Sequence, residues 1–134
     1  MTQQDKELLL KDLCARLPYG VKVQAKGIIE FFGDENTCDE PYTLTEINTK
    51  FNLFGADSLA GNSLFNRKGK SNVKPYLFPL SSMTKEQKIR CKAIQDMGAS
   101  YSHHLIDRYN EWHLDYRGLI EKGLAIDATG LNVY

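Results

Sequence analysis

The sequence has 134 residues, and its 17 Lys and Arg residues balance 17 Asp and Glu residues, so the formal net charge is zero. Hydrophobic residues make up 42% and charged residues 25%, as in an ordinary globular domain. This composition excludes an intrinsically disordered chain, and the neutral charge argues against a general polyanion binder. The length predicts a single domain over residues 1–134 that needs no disulfide or metal to fold.

The start of the chain is polar, and its first apolar run is only Leu8-Leu9-Leu10. A secretory signal needs about 7–15 apolar residues and a membrane span about 20, so the sequence predicts neither. The three cysteines, Cys14, Cys38 and Cys91, are odd in number and widely spaced. They are expected to be free thiols packed as small hydrophobes in a reducing cytoplasm, with a reactive thiol as the alternative.

An amphipathic helix is predicted over residues 5–17, because apolar residues recur there with helical spacing. These residues are Leu9, Leu10, Leu13, Cys14 and Leu17. Thr2 or Asp5 is expected to cap the helix, and Pro18 and Gly20 to end it.

Short strands are predicted next, at residues 21–25 and 28–32, where apolar residues are frequent and partly alternate with polar ones. Residues 42–54 also resemble strand, but the alternation changes phase near Glu46. Either a β-bulge lies there or, as we favour, a hairpin turns at residues 48–50.

Residues 55–72 are rich in Gly, Ser and Asn and predict a long flexible loop, unless a short strand lies at residues 63–65. Residues 73–80 contain Pro75 and Pro79, which lack the N–H group of a regular central strand. Residues 73–80 are therefore expected to form an apolar connector that packs over the core.

Two helices are predicted in the last third of the chain. Thr84 and Gln87 have the spacing of a capping box, and Gly98 is typical of the position after a helix end. The second helix has an apolar stripe expected to pack on the core: Ile89, Ala93, Ile94 and Met97. The third helix, over residues 100–113, has its own apolar stripe, formed by Tyr101, Leu105, Tyr109 and Trp112.

This order of elements indicates an α+β fold: an N-terminal helix, a small antiparallel sheet and C-terminal helices. A barrel-like closure of the sheet stays open at this point.

No residue spacing in the sequence is typical of an active site. His103, Asp107 and Glu111 lie near one helix face and are the weak candidates for metal ligands, although such a face is usually solvated. There is no G-x-S-x-G, no H-E-x-x-H and no phosphate-binding loop. The sequence therefore assigns no catalytic residue, no cofactor and no firm metal site, and an enzyme is the less favoured class.

Two regions contain residue types that are common in binding surfaces. The candidate interaction residues are Arg67, Lys68, Lys70, Tyr76, Tyr116 and Arg117. The first three form a basic cluster in the 66–74 loop, which is either a solvated loop or a nucleic-acid contact. Tyr and Arg dominate interface hot spots, so Tyr76, Tyr116 and Arg117 favour a protein partner. The structural alternative for Arg117 is hydrogen bonding to carbonyls at the end of the third helix.

Three motifs resemble a group of short proteins in gut Bacteroidales genomes and their mobile elements. They are LCARLPYGV at residues 13–21, KPYLFPLSSMT at residues 74–84, and DYRGLI followed by GLA at residues 115–125. The group has no assigned activity, so the resemblance implies a bacterial cytoplasmic origin and transfers no catalytic residue.

Together these features predict a small non-enzymatic intracellular binding or accessory protein, of the kind encoded by phage or mobile DNA. Its expected partner is a protein, and no membrane contact is predicted. The alternatives are a small metal-dependent hydrolase and a nucleic-acid-binding module that uses the 66–74 loop.

Overall fold

The computed structural model describes residues 2–26, 30–31, 34–35, 42–48, 53–58, 63–65 and 72–134. Its helices are α1 (Gln3–Arg16), α2 (Lys85–Asp96) and α3 (Ser102–Glu111). Its strands are β1 (Lys22–Lys26), β2 (Glu30–Phe31), β3 (Asp34–Glu35), β4 (Tyr42–Asn48), β5 (Leu53–Ser58), β6 (Ser63–Phe65), β7 (Asn72–Pro79), β8 (Leu114–Asp115) and β9 (Ile126–Asp127). A helix, then strands, then helices confirm the α+β class.

Helix α1 begins with a reciprocal pair of hydrogen bonds. The Asp5 N–H donates to Thr2 Oγ1 at 3.1 Å, and the Thr2 N–H donates to the Asp5 carboxylate at 3.2 Å, so the two alternative caps act together. Helix α1 buries Leu9, Asp12, Leu13 and Arg16, and two of these, Asp12 and Arg16, are charged. Cys14 is exposed, so its place in the apolar stripe was wrong, because it lies about 160° around the helix from the buried Arg16.

The main sheet is open and mixed. Its hydrogen-bonded order is β6-β5-β4-β1-β7 with antiparallel neighbours, and β8 and β9 each pair in parallel with β7. The expected antiparallel sheet is therefore correct for the larger strands and wrong for the two short C-terminal ones. A separate ladder joins β2 and β3, and the described strands do not close into a barrel.

Of the two irregularities considered around Glu46, the β-bulge is present, and Asn48, expected in the turn, is instead the last residue of β4. β4 and β5 form an antiparallel pair that ends with Asn48 opposite Leu53, as in a hairpin. The register also shifts between Leu44 and Glu46, so a β-bulge accounts for the change of phase. The turn between the strands lies outside the described residues.

Part of the segment expected to be a loop, residues 55–72, is strand. β5 covers its first residues, and β6 occupies Ser63–Phe65, the short strand that was the alternative. Gly55 pairs with both Glu46 and Phe65, because strand pairing uses backbone groups that glycine also has. The loop prediction was wrong for these strand residues, and the other residues before β7 lie outside the described part of the chain.

The connector predicted for residues 73–80 is instead the central strand β7. Its Phe78 N–H donates to the His113 carbonyl at 2.8 Å. Consecutive residues of a strand present their backbone groups to opposite edges. The nitrogens of Pro75 and Pro79 therefore face the edge opposite to that of Phe78. The sequence argument failed because two prolines of the same parity remove N–H groups from only one edge.

The hydrophobic core lies between α1, the sheet and the segment after α3. Its buried residues are Leu9, Leu13, Val21, Val23, Tyr42, Leu44, Val73, Leu77, Leu119, Leu124 and Ala125. Helices α2 and α3 add no residue to this cluster, although every residue of both is described.

Helix α2 has the predicted capping box but not the predicted packing. The Gln87 N–H donates to Thr84 Oγ1 at 3.1 Å. Ile89 and Met97, expected in the core, are 69% and 62% exposed. The buried residue of α2 is Cys91, which lies about 160° around the helix from Ile89, so the apolar stripe points outward.

Helix α3 begins after Gly98 (φ 103°) and a single turn of 3-10 helix. Its stripe is only partly covered, since Tyr101 is exposed, Trp112 is half-buried and the buried residue of the helix is Asn110. None of the described helices is both long and apolar enough to cross a membrane.

Candidate functional site

The weak metal candidates His103, Asp107 and Glu111 do not form a metal site. The His103 ring contacts that of His104 at 4.0 Å between centroids, and Glu111 pairs with Arg108 at 2.6 Å. Among the described residues, no three His, Cys, Asp or Glu side chains are grouped so that they could hold a metal ion.

The six predicted interaction residues fall in three places. Three of them lie outside the described residues: Arg67, Lys68 and Lys70. Tyr76 is buried in β7, so it is a core residue and not an exposed contact. Tyr116 and Arg117 follow β8 and are brought against α1.

A buried ion pair of α1 lies at the centre of this contact. Asp12 and Arg16 are both 0% exposed, and Arg16 Nε donates to Asp12 Oδ2 at 2.8 Å. Arg16 Nη2 donates to the Leu114 carbonyl at 2.6 Å and so ties α1 to β8. Buried charges are tolerated when their polar atoms are hydrogen-bonded, yet Arg16 Nη1 is buried without a partner.

Arg117 and Tyr116 complete the arginine cluster, which we define as Asp12, Arg16, Tyr116 and Arg117. Arg117 Nη1 donates to Asp12 Oδ1 at 3.0 Å, so the two arginines share one carboxylate. The guanidinium carbons of Arg16 and Arg117 lie 5.2 and 4.7 Å from the centroid of the Tyr116 ring, within cation–π range. The hydrogen bond that Arg117 makes is thus to a carboxylate, and not to the helix-end carbonyls considered for it.

The turn after β8 holds Tyr116 and Arg117 in place. Both oxygens of the Asp115 carboxylate accept backbone hydrogen bonds, from Leu119 and Ile120, at 2.9 Å each. Gly118 adopts a φ of 73°, which side-chain-bearing residues rarely take. Residues 13–21 and 115–125, two of the three motifs quoted from the sequence, therefore meet at the arginine cluster.

His113 lies beside the cluster, next to Leu114, and its ring stacks on Tyr134 with 3.8 Å between centroids. Burial, followed by the positive charge of Arg16, lowers the pKa of His113 to about 4. His113 is therefore neutral near pH 7, and its Nδ1 is a second buried atom without a partner.

The Tyr134 hydroxyl links two strands. It accepts a hydrogen bond from the Lys22 N–H at 2.9 Å and donates one to the Tyr76 carbonyl at 2.8 Å. It thereby bridges β1 and β7 next to the point where Val23 pairs with Pro75.

The outward side of α2 is a second candidate surface. We define the α2 face as five exposed residues: Lys85, Ile89, Lys92, Ala93 and Met97. Residues three and four apart are neighbours on a helix surface, so Ile89 is bordered by Lys85, Glu86, Lys92 and Ala93. The α2 face is thus an exposed apolar strip whose border has more cations than acids.

The described cysteines offer little nucleophilic chemistry. Cys14 and Cys91 are free thiols, and Cys38 lies outside the described residues. Burial raises the pKa of the Cys91 thiol, which disfavours the reactive thiolate.

Sequence inspection missed Asp12, Arg16 and His113. The first two carried a signal, because they are four residues apart on the same helix face as Leu9 and are opposite in charge. His113 carried none, since its environment depends on contacts with residues far along the chain, such as Arg16 and Lys22.

Because no protein-family model, curated protein sequence or solved structure matches the chain, the interpretation of its surfaces depends on their geometry.

Proposed function

We propose that the chain is a non-catalytic accessory protein of the bacterial cytoplasm that binds an acidic protein partner through the α2 face. The observation that carries this proposal is the outward apolar strip, in which Ile89 and Met97 are 69% and 62% exposed. Contiguous apolar surface with a polar rim is typical of protein-binding sites. The exposed free thiol of Cys14 suits a reducing compartment.

The charges on α2 favour an acidic partner. The helix has four exposed cations, Lys85, Lys88, Arg90 and Lys92, and two exposed acids, Glu86 and Asp96. Electrostatic complementarity favours a partner with an apolar centre and an acidic rim. The resemblance of three motifs to mobile-element proteins supports an accessory role in such a host.

A photocrosslinking amino acid at position 89 tests this proposal in living bacteria. The expected result is a covalent adduct with one protein whose crosslinked segment is acidic, and no such adduct from the same amino acid at Lys11, an exposed position on α1. Charge reversal at Lys85 and Lys92 to Glu should abolish the adduct, because it removes the attraction to the acidic rim.

Three outcomes would contradict the proposal. One is an adduct that forms equally at Lys11, and another is an adduct that survives the charge reversal. The third is a crosslink to nucleic acid that nuclease removes, which would favour a nucleic-acid-binding module instead.

A further inference from the structure

The arginine cluster has an unbalanced charge. Arg16 and Arg117 are permanently positive, and each bonds a different oxygen of the single carboxylate of Asp12. Asp115, the residue before Tyr116, uses both of its oxygens on backbone N–H groups. The contacts within the cluster therefore leave one positive charge without a counter-ion.

One guanidinium nitrogen lacks an acceptor. Arg16 uses Nε for Asp12 and Nη2 for the Leu114 carbonyl, while its Nη1 is buried and unpaired. Native proteins rarely leave such donors unsatisfied, and an ion or a water usually explains the exceptions. His113 Nδ1, on the residue next to Leu114, is the other buried unpaired side-chain atom among the described residues.

We propose that the arginine cluster binds a small oxyanion, a carboxylate or a phosphate. Its oxygens would accept hydrogen bonds from Arg16 Nη1 and from Arg117, whose planar donors suit such groups. Asp12 holds the two guanidinium groups, and the Tyr116 ring contacts both. Arg117 is 16% exposed and Arg16 is 0% exposed, so the anion contacts Arg117 first, and the Arg117 side chain must shift before the anion reaches Arg16 Nη1. The arginine cluster contains no residue of α2, so evidence against anion binding would not count against the proposed partner binding, and the reverse also holds.

Isothermal titration calorimetry with sodium acetate and with sodium phosphate tests the site, in a chloride buffer of constant ionic strength. The expected result is saturable binding of one anion per chain for at least one of the two salts, and their relative affinity separates a carboxylate site from a phosphate site. Arg117→Gln should weaken binding about tenfold or more, as expected for losing a charge-assisted hydrogen bond. Arg117→Lys, which keeps the charge but not the planar donors, should weaken it less.

Arg90→Gln is the matched control, because it removes an exposed arginine of α2 and one unit of charge. It should leave the affinity unchanged. The absence of saturable binding by both salts would overturn the proposal. So would equal weakening by Arg90→Gln and Arg117→Gln, which would indicate only a general response to net charge. Circular dichroism on each variant ensures that folded proteins are compared.

Discussion

Asp12→Ala is the substitution for which the structure predicts the largest effect. It removes the carboxylate that faces Arg16 at 2.8 Å and Arg117 at 3.0 Å, and it leaves the fully buried Arg16 guanidinium without its counter-ion. Breaking a buried pair in this way costs about 3–5 kcal/mol. For a chain of this length, 1 kcal/mol corresponds to about 3–4 °C in Tm, so Tm should fall by roughly 10–20 °C.

The exposed pair between Arg108 and Glu111 is a matched control, since its atoms lie 2.6 Å apart with side chains 28% and 44% exposed. Glu111→Ala should cost at most about 1 kcal/mol. Urea and thermal unfolding of both variants measure the difference. If Asp12→Ala cost no more than Glu111→Ala, the view that α1 is docked by a buried ion cluster would be wrong.

Three further effects follow from single contacts. Tyr134→Phe removes the hydroxyl that bonds the Lys22 N–H and the Tyr76 carbonyl, which should cost about 0.5–1.5 kcal/mol in chemical unfolding. Burial lowers the pKa of His113 to about 4 in the folded state from its ordinary value of 6.5, so the unfolded state takes up its proton first. Stability should therefore decrease as pH falls from 6.5 towards 4, and His113→Asn should reduce this loss in unfolding titrations. Thr84→Ala removes the capping box of α2 and should cost about 1 kcal/mol by thermal unfolding.

Exposed residues of the same types are the controls. Tyr101→Phe, His104→Asn and Ser100→Ala lie at exposed positions and should each change stability by less than about 0.5 kcal/mol. A Tyr134→Phe variant as stable as Tyr101→Phe would refute the bridging role of the hydroxyl. An unchanged pH profile in His113→Asn, or a Thr84→Ala effect no larger than that of Ser100→Ala, would likewise contradict those two predictions.

The features that sequence predicted well depend on neighbouring residues. The caps at Thr2 and Thr84 hydrogen-bond three positions along the chain, so the pattern alone is sufficient. The α+β order followed for the same reason, because helical and strand periodicities are local properties.

The features that could not be predicted from the sequence depend on contacts between residues that are far apart in the chain. The Arg16 bond to Leu114 spans 98 residues, and the Arg117 bond to Asp12 spans 105. A helix stripe shows that one side is apolar but not whether another element covers it, and Ile89 is the clearest example. In the arginine cluster, Tyr116 and Arg117 were predicted from the sequence, whereas their buried partners on α1 were not.

The place of β7 in the sheet also affects how the chain folds while it is being synthesised. Its antiparallel partner β1 precedes it, but β9, its parallel partner on the edge that Pro75 and Pro79 face, ends at Asp127, 48 residues after Pro79. The Leu77 carbonyl, on the same edge as the two proline nitrogens, accepts a hydrogen bond from the Ala128 N–H at 2.8 Å. At about 5–20 residues per second, a ribosome needs roughly 2–10 s to make that stretch. During this interval one edge of a largely apolar strand is open to other nascent chains. Pro75 and Pro79 remove two N–H groups from β7, and such prolines discourage intermolecular strand pairing. The two residues that argued against a strand thus protect it until its own partners have been made.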